Sequence, residues 1–478
     1  MQSRAAIALL LIALLSEMLR AQSRTEVLFA ERVSQHRLLQ TVRRLVQFGN
    51  RMGGTPSGDR SARYLVQQFR SYGLKTEIVE EPELLTYRHE SWSLQVEHPS
   101  ALRNLIKNEW LAGFSPSTGQ HRGRLVYVDP NDTPDEGALD SLVVLTEQSV
   151  DQKMYQRLVA AGARCILTYA PASPKKYLHW AFINSLPASR DHPIPLFSLS
   201  YSNGTRLKAE LAKGTPIVVS FQTKSTIAPG TPKTVVATLS GKSDEYFIVC
   251  AHGDSDSGGP GADDNASGVA GVLELARVLN ALVRGGTLAQ PAKTIKFIVW
   301  GSEYSSATQY VKQQANNLEK IRGVINYDEI GTGASRNCLY FESNDVPHNT
   351  HLLRTFHAIA EEYVDRQGFW QEATTNPSQG GTDSYVFLPD FLERLKLPPV
   401  KIPSVTIYTA AWDEVKTIPQ TEGWRSRAWK GHPDSVTIDF SPYYHSSLDL
   451  PRFTTDREPF NMVWAVKAVG IALLRLAW

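Results

Sequence analysis

Apolar residues recur along this chain with two periods. Val33–Phe48 places Leu38, Val42, Leu45 and Val46 on one face at helical spacing. A second helix is predicted over Ser61–Tyr72, with Ala62, Leu65, Val66 and Phe69 as its stripe. Gly73 then stands where a helix C-terminus favours glycine. Between the two lies a polar, glycine-rich loop, Gly49–Arg60. Gly268–Val283 repeats the helical period, and Met462–Trp478 is a strongly apolar last helix. Strand-type runs alternate with these helices at Tyr246–Ala251, Ile295–Trp300, Gly323–Tyr327 and Ile402–Tyr408. Buried strands separated by helix-length segments predict an α/β fold, with a largely parallel central sheet flanked by helices on both faces.

From about His98 to Phe221 the texture changes. Short apolar runs at Leu125–Val128, Leu142–Leu145, Cys165–Tyr169, Ile194–Leu199 and Ile217–Phe221 alternate with two helical stretches, Gln152–Ala161 and Asn203–Ala212. A small inserted α/β domain over residues 98–225 is predicted, with Pro229, Gly230 and Pro232 marking its exit. It divides the main domain into 25–97 and 232–478. Near the start, Arg4 precedes the apolar run Ala5–Leu15. That run is too short to cross a bilayer as a helix and has the length of a signal-peptide core. Residues 1–21 therefore read as a signal peptide cleaved before Gln22. This predicts an exported protein, periplasmic or extracellular, with no membrane association after cleavage.

Charge and cysteine content narrow the chemistry. Lys and Arg number 50 against 48 Asp and Glu, a net charge of +2, so the basic excess that marks a nucleic-acid binder is missing. Three cysteines, Cys165, Cys250 and Cys338, make no disulfide framework and no CxxC pair. Any metal is left to carboxylates and imidazoles.

Those groups gather where strands stop. His252 follows the Tyr246 strand, Glu303 the Ile295 strand and Asp328 the Gly323 strand. His445 lies in a loop after the Ile402 strand, and Asp264 precedes the Gly268 helix. In open α/β sheets ligands bind beyond the carboxyl ends of the strands. Three oxygen donors and two imidazoles suit zinc, with cobalt or manganese as poorer fits. Asp254, two residues past His252, is placed to fix the imidazole tautomer. Asp264 is placed to bridge two ions with one oxygen each, and Glu303 to act as general base on an activated water.

The segment AHGDSDSGGPGADDNASGVAGVLELARVL resembles the signature of the zinc exopeptidases that include aminopeptidase Y, bacterial leucyl aminopeptidases and glutamate carboxypeptidase. RMGGTPSGDRSARYLVQQFRSYGL (Arg51–Leu74), VINYDEIG, TDSYVF (Thr382–Phe387) and YYHSSLD fall in that family's order. LVYVD, LVAAGARCILTY and IPLFSLSYSNGTRLKAELAKG make the insert similar to a protease-associated (PA) domain. The resemblance implies a phosphorylase/hydrolase-like fold and a secreted, metal-dependent exopeptidase, with aminopeptidase the commoner polarity. It implies peptides or small proteins as substrates. It also implies His252, Asp264, Asp328 and His445 as zinc ligands, with Asp264 bridging and Asp254 orienting. Asp383 matches the acid of a family motif whose histidine is Ser384 here.

One departure matters. The family carries two adjacent glutamates, a base and then a ligand, where this chain reads Glu303-Tyr304. A phenol, with an ordinary pKa of about 10, is a poor zinc ligand. Several outcomes stay open: one zinc instead of two, a weakened second zinc, Glu303 itself as ligand, Glu329 recruited from VINYDEIG, or lost catalysis. Two other readings accompany the exopeptidase. One is a non-catalytic, receptor-like homologue, and the other is a glutaminyl cyclase with a single zinc. The aromatic segment Trp412–Tyr444 reads either as a wall of the substrate pocket or as an ordered surface loop. Oligomeric state is not encoded in any of these features.

Overall fold

The computed structural model describes residues 24–107, 109–148, 150–169, 193–255, 259–332, 338–343, 351–376, 382–409, 418–419, 435–436, 443–445 and 447–478. The signal-peptide segment and Trp412, Trp424 and Trp429 lie outside them.

In chain order the strands are β1 (Lys75–Glu80), β2 (Leu84–His98), β3 (Trp110–Leu111), β4 (Thr118–Tyr127), β5 (Val143–Thr146), β6 (Cys165–Tyr169), β7 (Leu196–Leu199) and β8 (Val218–Gly230). They continue as β9 (Lys233–Leu239), β10 (Ser243–His252), β11 (Lys293–Trp300), β12 (Ile321–Tyr327), β13 (Cys338–Ser343), β14 (Glu372–Asn376) and β15 (Ser404–Tyr408). The helices are α1 (Gln35–Val46), α2 (Pro56–Ser71), α3 (Gln152–Ala160), α4 (Tyr201–Ala212), α5 (Gly268–Arg284), α6 (Glu303–Gln313), α7 (His351–Tyr363), α8 (Pro389–Arg394) and α9 (Phe460–Leu476).

The main sheet runs β1-β9-β11-β10-β12-β15-β13-β14. Its centre, β11-β10-β12-β15, is parallel throughout, while β1, β9 and the β13–β15 contact are antiparallel. The parallel block matches the prediction and the antiparallel margins qualify it. Strand alternation sends the β10 side chains to two different cores. Phe247, Val249 and Ala251 pack with α1, α5 and α9, while Tyr246, Ile248 and Cys250 pack with Trp300 and α6. With both faces covered, the carboxyl ends of these strands form the open edge of the layer. Helix α5, together with the turn before it, is long and apolar enough to cross a membrane, but it is almost wholly buried against the sheet, α1 and α9. It is a core helix.

A second sheet, β2-β8-β4-β5-β6-β7-β3, is built from residues 84–230. This is wider than the segment 98–225, because β2 pairs antiparallel with β8 along its whole length. Helices α3 and α4 cover opposite faces, with Met154, Tyr155 and Leu158 in one core and Leu207 in the other.

Helix α2 begins at Pro56, inside the stretch read from sequence as loop. Thr55 caps it, its hydroxyl accepting from the Gly58 amide at 3.3 Å, and Pro56 sits at the first helical position. Cys165 and Cys250 are buried free thiols in different sheets, and burial pushes both thiols up. The side chain of Cys338 lies outside the described residues.

Candidate metal centre

His252 is the last residue of β10, and its register partner on β11 is Trp300. Its Nδ1 lies 3.0 Å from the Asp254 carbonyl oxygen and 3.5 Å from the Asp254 carboxylate. The tautomer is thus held through the main chain, and Asp254 spends Oδ1 on the Glu303 amide at 3.2 Å. The free edge of the imidazole, Nε2, faces Asp264 Oδ1 at 3.2 Å and Asp328 Oδ1 at 3.5 Å. One donor atom from each of His252, Asp264 and Asp328 lies within 4.8 Å of the others. The second oxygen of Asp264 turns the other way, 2.7 Å from His445 Nε2. Each oxygen of Asp264 therefore meets a different imidazole.

The backbone that carries Asp264 is irregular, with non-helical dihedral angles at Asp264 and Asn265 just before α5. It is held from several directions. Asp449 accepts the Asp263 and Asp264 amides at 2.8 and 3.0 Å. Asn265 donates to the Tyr327 carbonyl at 2.8 Å, tying this turn to the end of β12. Asp263 accepts from the Gly331 amide and the Thr332 hydroxyl, both at 2.7 Å, and so points away from the histidines. Gly261 has φ +58, and a Cβ there would run into Ser255 and Arg51.

Arg51, 1% exposed, lies beneath this loop. Its guanidinium donates to the carbonyls of Gly253, Gly49, Pro260 and Gly261 at 2.8 to 2.9 Å. Burial lowers its pKa to about 10, against the pull of Asp254, Asp449 and Asp264. Asp328 is oriented by Thr382, whose hydroxyl donates to Oδ2 at 2.8 Å and accepts from Asn326 at 2.8 Å. His445 has φ +50, and its ring stacks on Tyr444 at 3.7 Å between centroids.

The structure thus brings together His252, Asp254, Asp264, Asp328 and His445. Glu303 opens α6 and is joined to the group through its amide to Asp254. Tyr304 is half-buried in the first turn of α6 and packs against the core cluster that includes Tyr246, Ile248 and Trp300. Glu329 and Asp383 are buried beside the centre, and neither carboxylate has a hydrogen-bond partner among the described residues. Arg51, Thr382 and Asp449 support the site without any sequence expectation of it, although all three lie in or beside the quoted motifs.

Electrostatics describe a site short of positive charge. Burial would push the His252 imidazole down, but Asp254, Asp264 and Asp328 outweigh it and hold it well above its ordinary value. Burial would raise Asp264, and the two imidazoles overcome it and hold it far below the usual carboxylate range. Burial raises Glu329 and Asp383 well above theirs. Clustered carboxylates and imidazoles, some of them orphaned, fit a divalent ion of the zinc type.

Parts of this chain are similar to known proteins. Residues 234–466 match Peptidase family M28. An aminopeptidase of Pseudomonas aeruginosa is 25% identical over 316 residues, covering 61% of this chain and 56% of that protein. A probable lipoprotein aminopeptidase, LpqL, of Mycobacterium tuberculosis is 27% identical over 309 residues, covering 61% and 57%. The chain thus aligns with less than two thirds of the length of these relatives. Among solved structures, a Peptidase M28 precursor from Shewanella amazonensis superposes with TM-score 0.65 at 18% identity, covering 95% of this chain and 96% of that one. BSAP, a zinc aminopeptidase from Bacillus subtilis, gives 0.59 at 18% identity, covering 93% and 95%. The fold is shared across both sheets, and the segment 234–466, which matches Peptidase family M28, carries His252, Asp264, Glu303, Asp328 and His445.

Proposed function

We propose that this chain is an exported zinc aminopeptidase that hydrolyses the first peptide bond of peptides or small proteins. The observation that carries the proposal is the divided Asp264 carboxylate, with one oxygen toward His252 and Asp328 and the other toward His445. His252, Asp264, Asp328 and His445 are the zinc-holding residues. Bound zinc would polarise the scissile carbonyl and acidify a water. Glu303 takes a proton from the attacking water and delivers it to the leaving amine nitrogen as the C–N bond breaks. Asp254 positions both partners, holding His252 with its carbonyl and the first turn of α6 with its carboxylate.

The second sheet serves as the protease-associated module and supplies one wall of the substrate cleft. Between the sheets lies a cleft of about 510 Å3, bounded by Phe48, Asn50, Trp92, Trp110, Pro260 and Leu450. It reaches the loop that leads to Asp264 and has the size of a short peptide. The resemblance of 61% of the chain to aminopeptidases favours this polarity over carboxypeptidase. A phenol at Tyr304, a poor zinc ligand, favours, as a second reading, a scaffold that has lost one ion.

Metal analysis of the purified protein, with a panel of aminoacyl substrates and Glu303→Gln as control, tests the proposal. Bound zinc, and activity that falls about 100- to 10,000-fold in Glu303→Gln with zinc retained, is the expected result. A metal-free, inert protein would end it.

A further inference from the structure

Helix α5 carries a second feature at the end remote from the metal centre. It starts just after Asp264 and runs for 17 residues. Its last turns therefore lie about 20 Å from that acid. There, between α1, α2 and α5, opens a groove of about 540 Å3 lined by Arg37, Ser71, Tyr72, Arg277 and Arg284. No acid lines it.

The three guanidiniums are held differently. Arg277 grips Glu274 through Nε at 2.7 Å and Nη2 at 2.6 Å, and Nη2 also reaches the Arg32 carbonyl at 2.8 Å. Glu274 is buried and accepts the Ser34 amide at 2.6 Å as well, so its charge is spent inside the wall. Arg284 donates from Nη1 to the Tyr72 carbonyl at 3.3 Å and lies against Gly73, where a Cβ would run into it. Arg37 is exposed, and its guanidinium has no hydrogen bond and no carboxylate partner among the described residues. Three cations thus meet one carboxylate, and the excess charge lies at the mouth of the groove.

Helix chemistry accounts for only part of this. Arg284 stands in the last turn of α5, where a cation complements the negative end of the helix. Arg37 stands in the first turn of α1, the positive end, and that turn contains no acid. A cation there works against the helix dipole. The Tyr72 phenol feels both Arg37 and Arg277, whose charges oppose the upward push of burial on its pKa. Both cations therefore lie near one side chain of the groove.

We propose that this groove binds a phosphate-bearing ligand, with Arg37 and Arg284 as its forks and Arg277 as a fixed third charge. Guanidinium forks match phosphate oxygens two at a time. A lone carboxylate would occupy one fork, whereas a phosphate group brings the charge density that several call for. The groove has room for a diphosphate or a phosphorylated headgroup. The proposal is independent of the peptidase reading.

Two measurements on the full chain test it and separate the sources of phosphate. One is isothermal titration calorimetry with inorganic pyrophosphate, and the other is co-sedimentation with phosphatidylglycerol vesicles over a phosphatidylcholine baseline. Wild type is expected to bind at least one of these probes saturably. Arg37→Ala and Arg284→Ala should each weaken that binding about tenfold or more. Arg124→Ala, an exposed position on β4, should leave it unchanged. Arg37 and Arg284 are both exposed, so the melting temperature and zinc content of these variants should match wild type. Pyrophosphate held equally well by the Arg37→Ala, Arg284→Ala double variant would be bound elsewhere, at the metal centre for instance, and would overturn the proposal. So would citrate binding as tight as pyrophosphate binding, or no binding of either probe by wild type.

Discussion

Arg51→Met should destabilise the protein more than any single surface change. The guanidinium makes four hydrogen bonds to main-chain carbonyls and is 1% exposed. Bonds from a charged donor contribute about 1.5–3 kcal/mol each, so the gross loss is about 6–12 kcal/mol. Much of that is offset, because methionine also avoids the cost of burying a cation. What remains is set by the acids left behind, since Asp254, Asp449 and Asp264 lose their shared counter-charge. Breaking a buried charge network of this kind costs about 3–5 kcal/mol. Arg51→Lys should fall between the two, because one ammonium cannot span four carbonyls. Urea unfolding of the metal-free protein, followed by near-ultraviolet circular dichroism in chelator, measures the loss. A change below about 1 kcal/mol in Arg51→Met would show that the loop from Gly253 to Gly261 stands without its guanidinium, and the reasoning would fail.

Other outcomes follow from the same structure. Gly261→Ala forces a side chain into a left-handed position against Ser255 and Arg51, and should cost about 2–3 kcal/mol and weaken zinc retention; wild-type melting and zinc content would contradict this. Burial holds the imidazoles of His89 and His357 near pKa 4 and 3, below the 6.5 of the unfolded chain. Both therefore favour the fold above pH 6.5, and that stability is lost as pH falls through 6.5 toward 4, up to about 3 kcal/mol per group. His357→Leu should flatten the acid limb of a stability–pH profile, and an unchanged slope would refute the assignment. Cys165 and Cys250, buried and held as thiols, should react with a thiol reagent only after unfolding; fast labelling of either in the native protein would count against the packing.

Much of this architecture is legible from residue pattern, and the parts that are not share a physical cause. Tyr246–Ala251 and Ile295–Trp300 announce themselves as buried strands because both faces are covered and every position but Lys296 is apolar. A strand end followed by His252 or Asp328 then locates the open edge of the sheet. β2 is harder to see. It mixes exposed, half-buried and a few buried residues along an antiparallel ribbon with β8, so no long apolar run marks residues 84–97. Arg51 is invisible for another reason, since its partners are carbonyl oxygens that every residue type carries. The packing of Tyr304 against the cluster that holds Trp300 and Tyr246 is decided by tertiary contact. No local pattern of letters records that choice.

The clasp that Asp449 places on the Asp263 and Asp264 amides spans 185 residues of chain. His445 joins Asp264 across nearly the same separation. During synthesis, the loop at the middle of the chain waits for His445 and Asp449 before its geometry can close. Contacts of such long range form late. A chain stopped short of Asp449 would contain most of both sheets and the HGDS and ADDNASG motifs, yet would have no finished seat for an ion. A seat for an ion would therefore close only once the segment carrying His445 and Asp449 has been made.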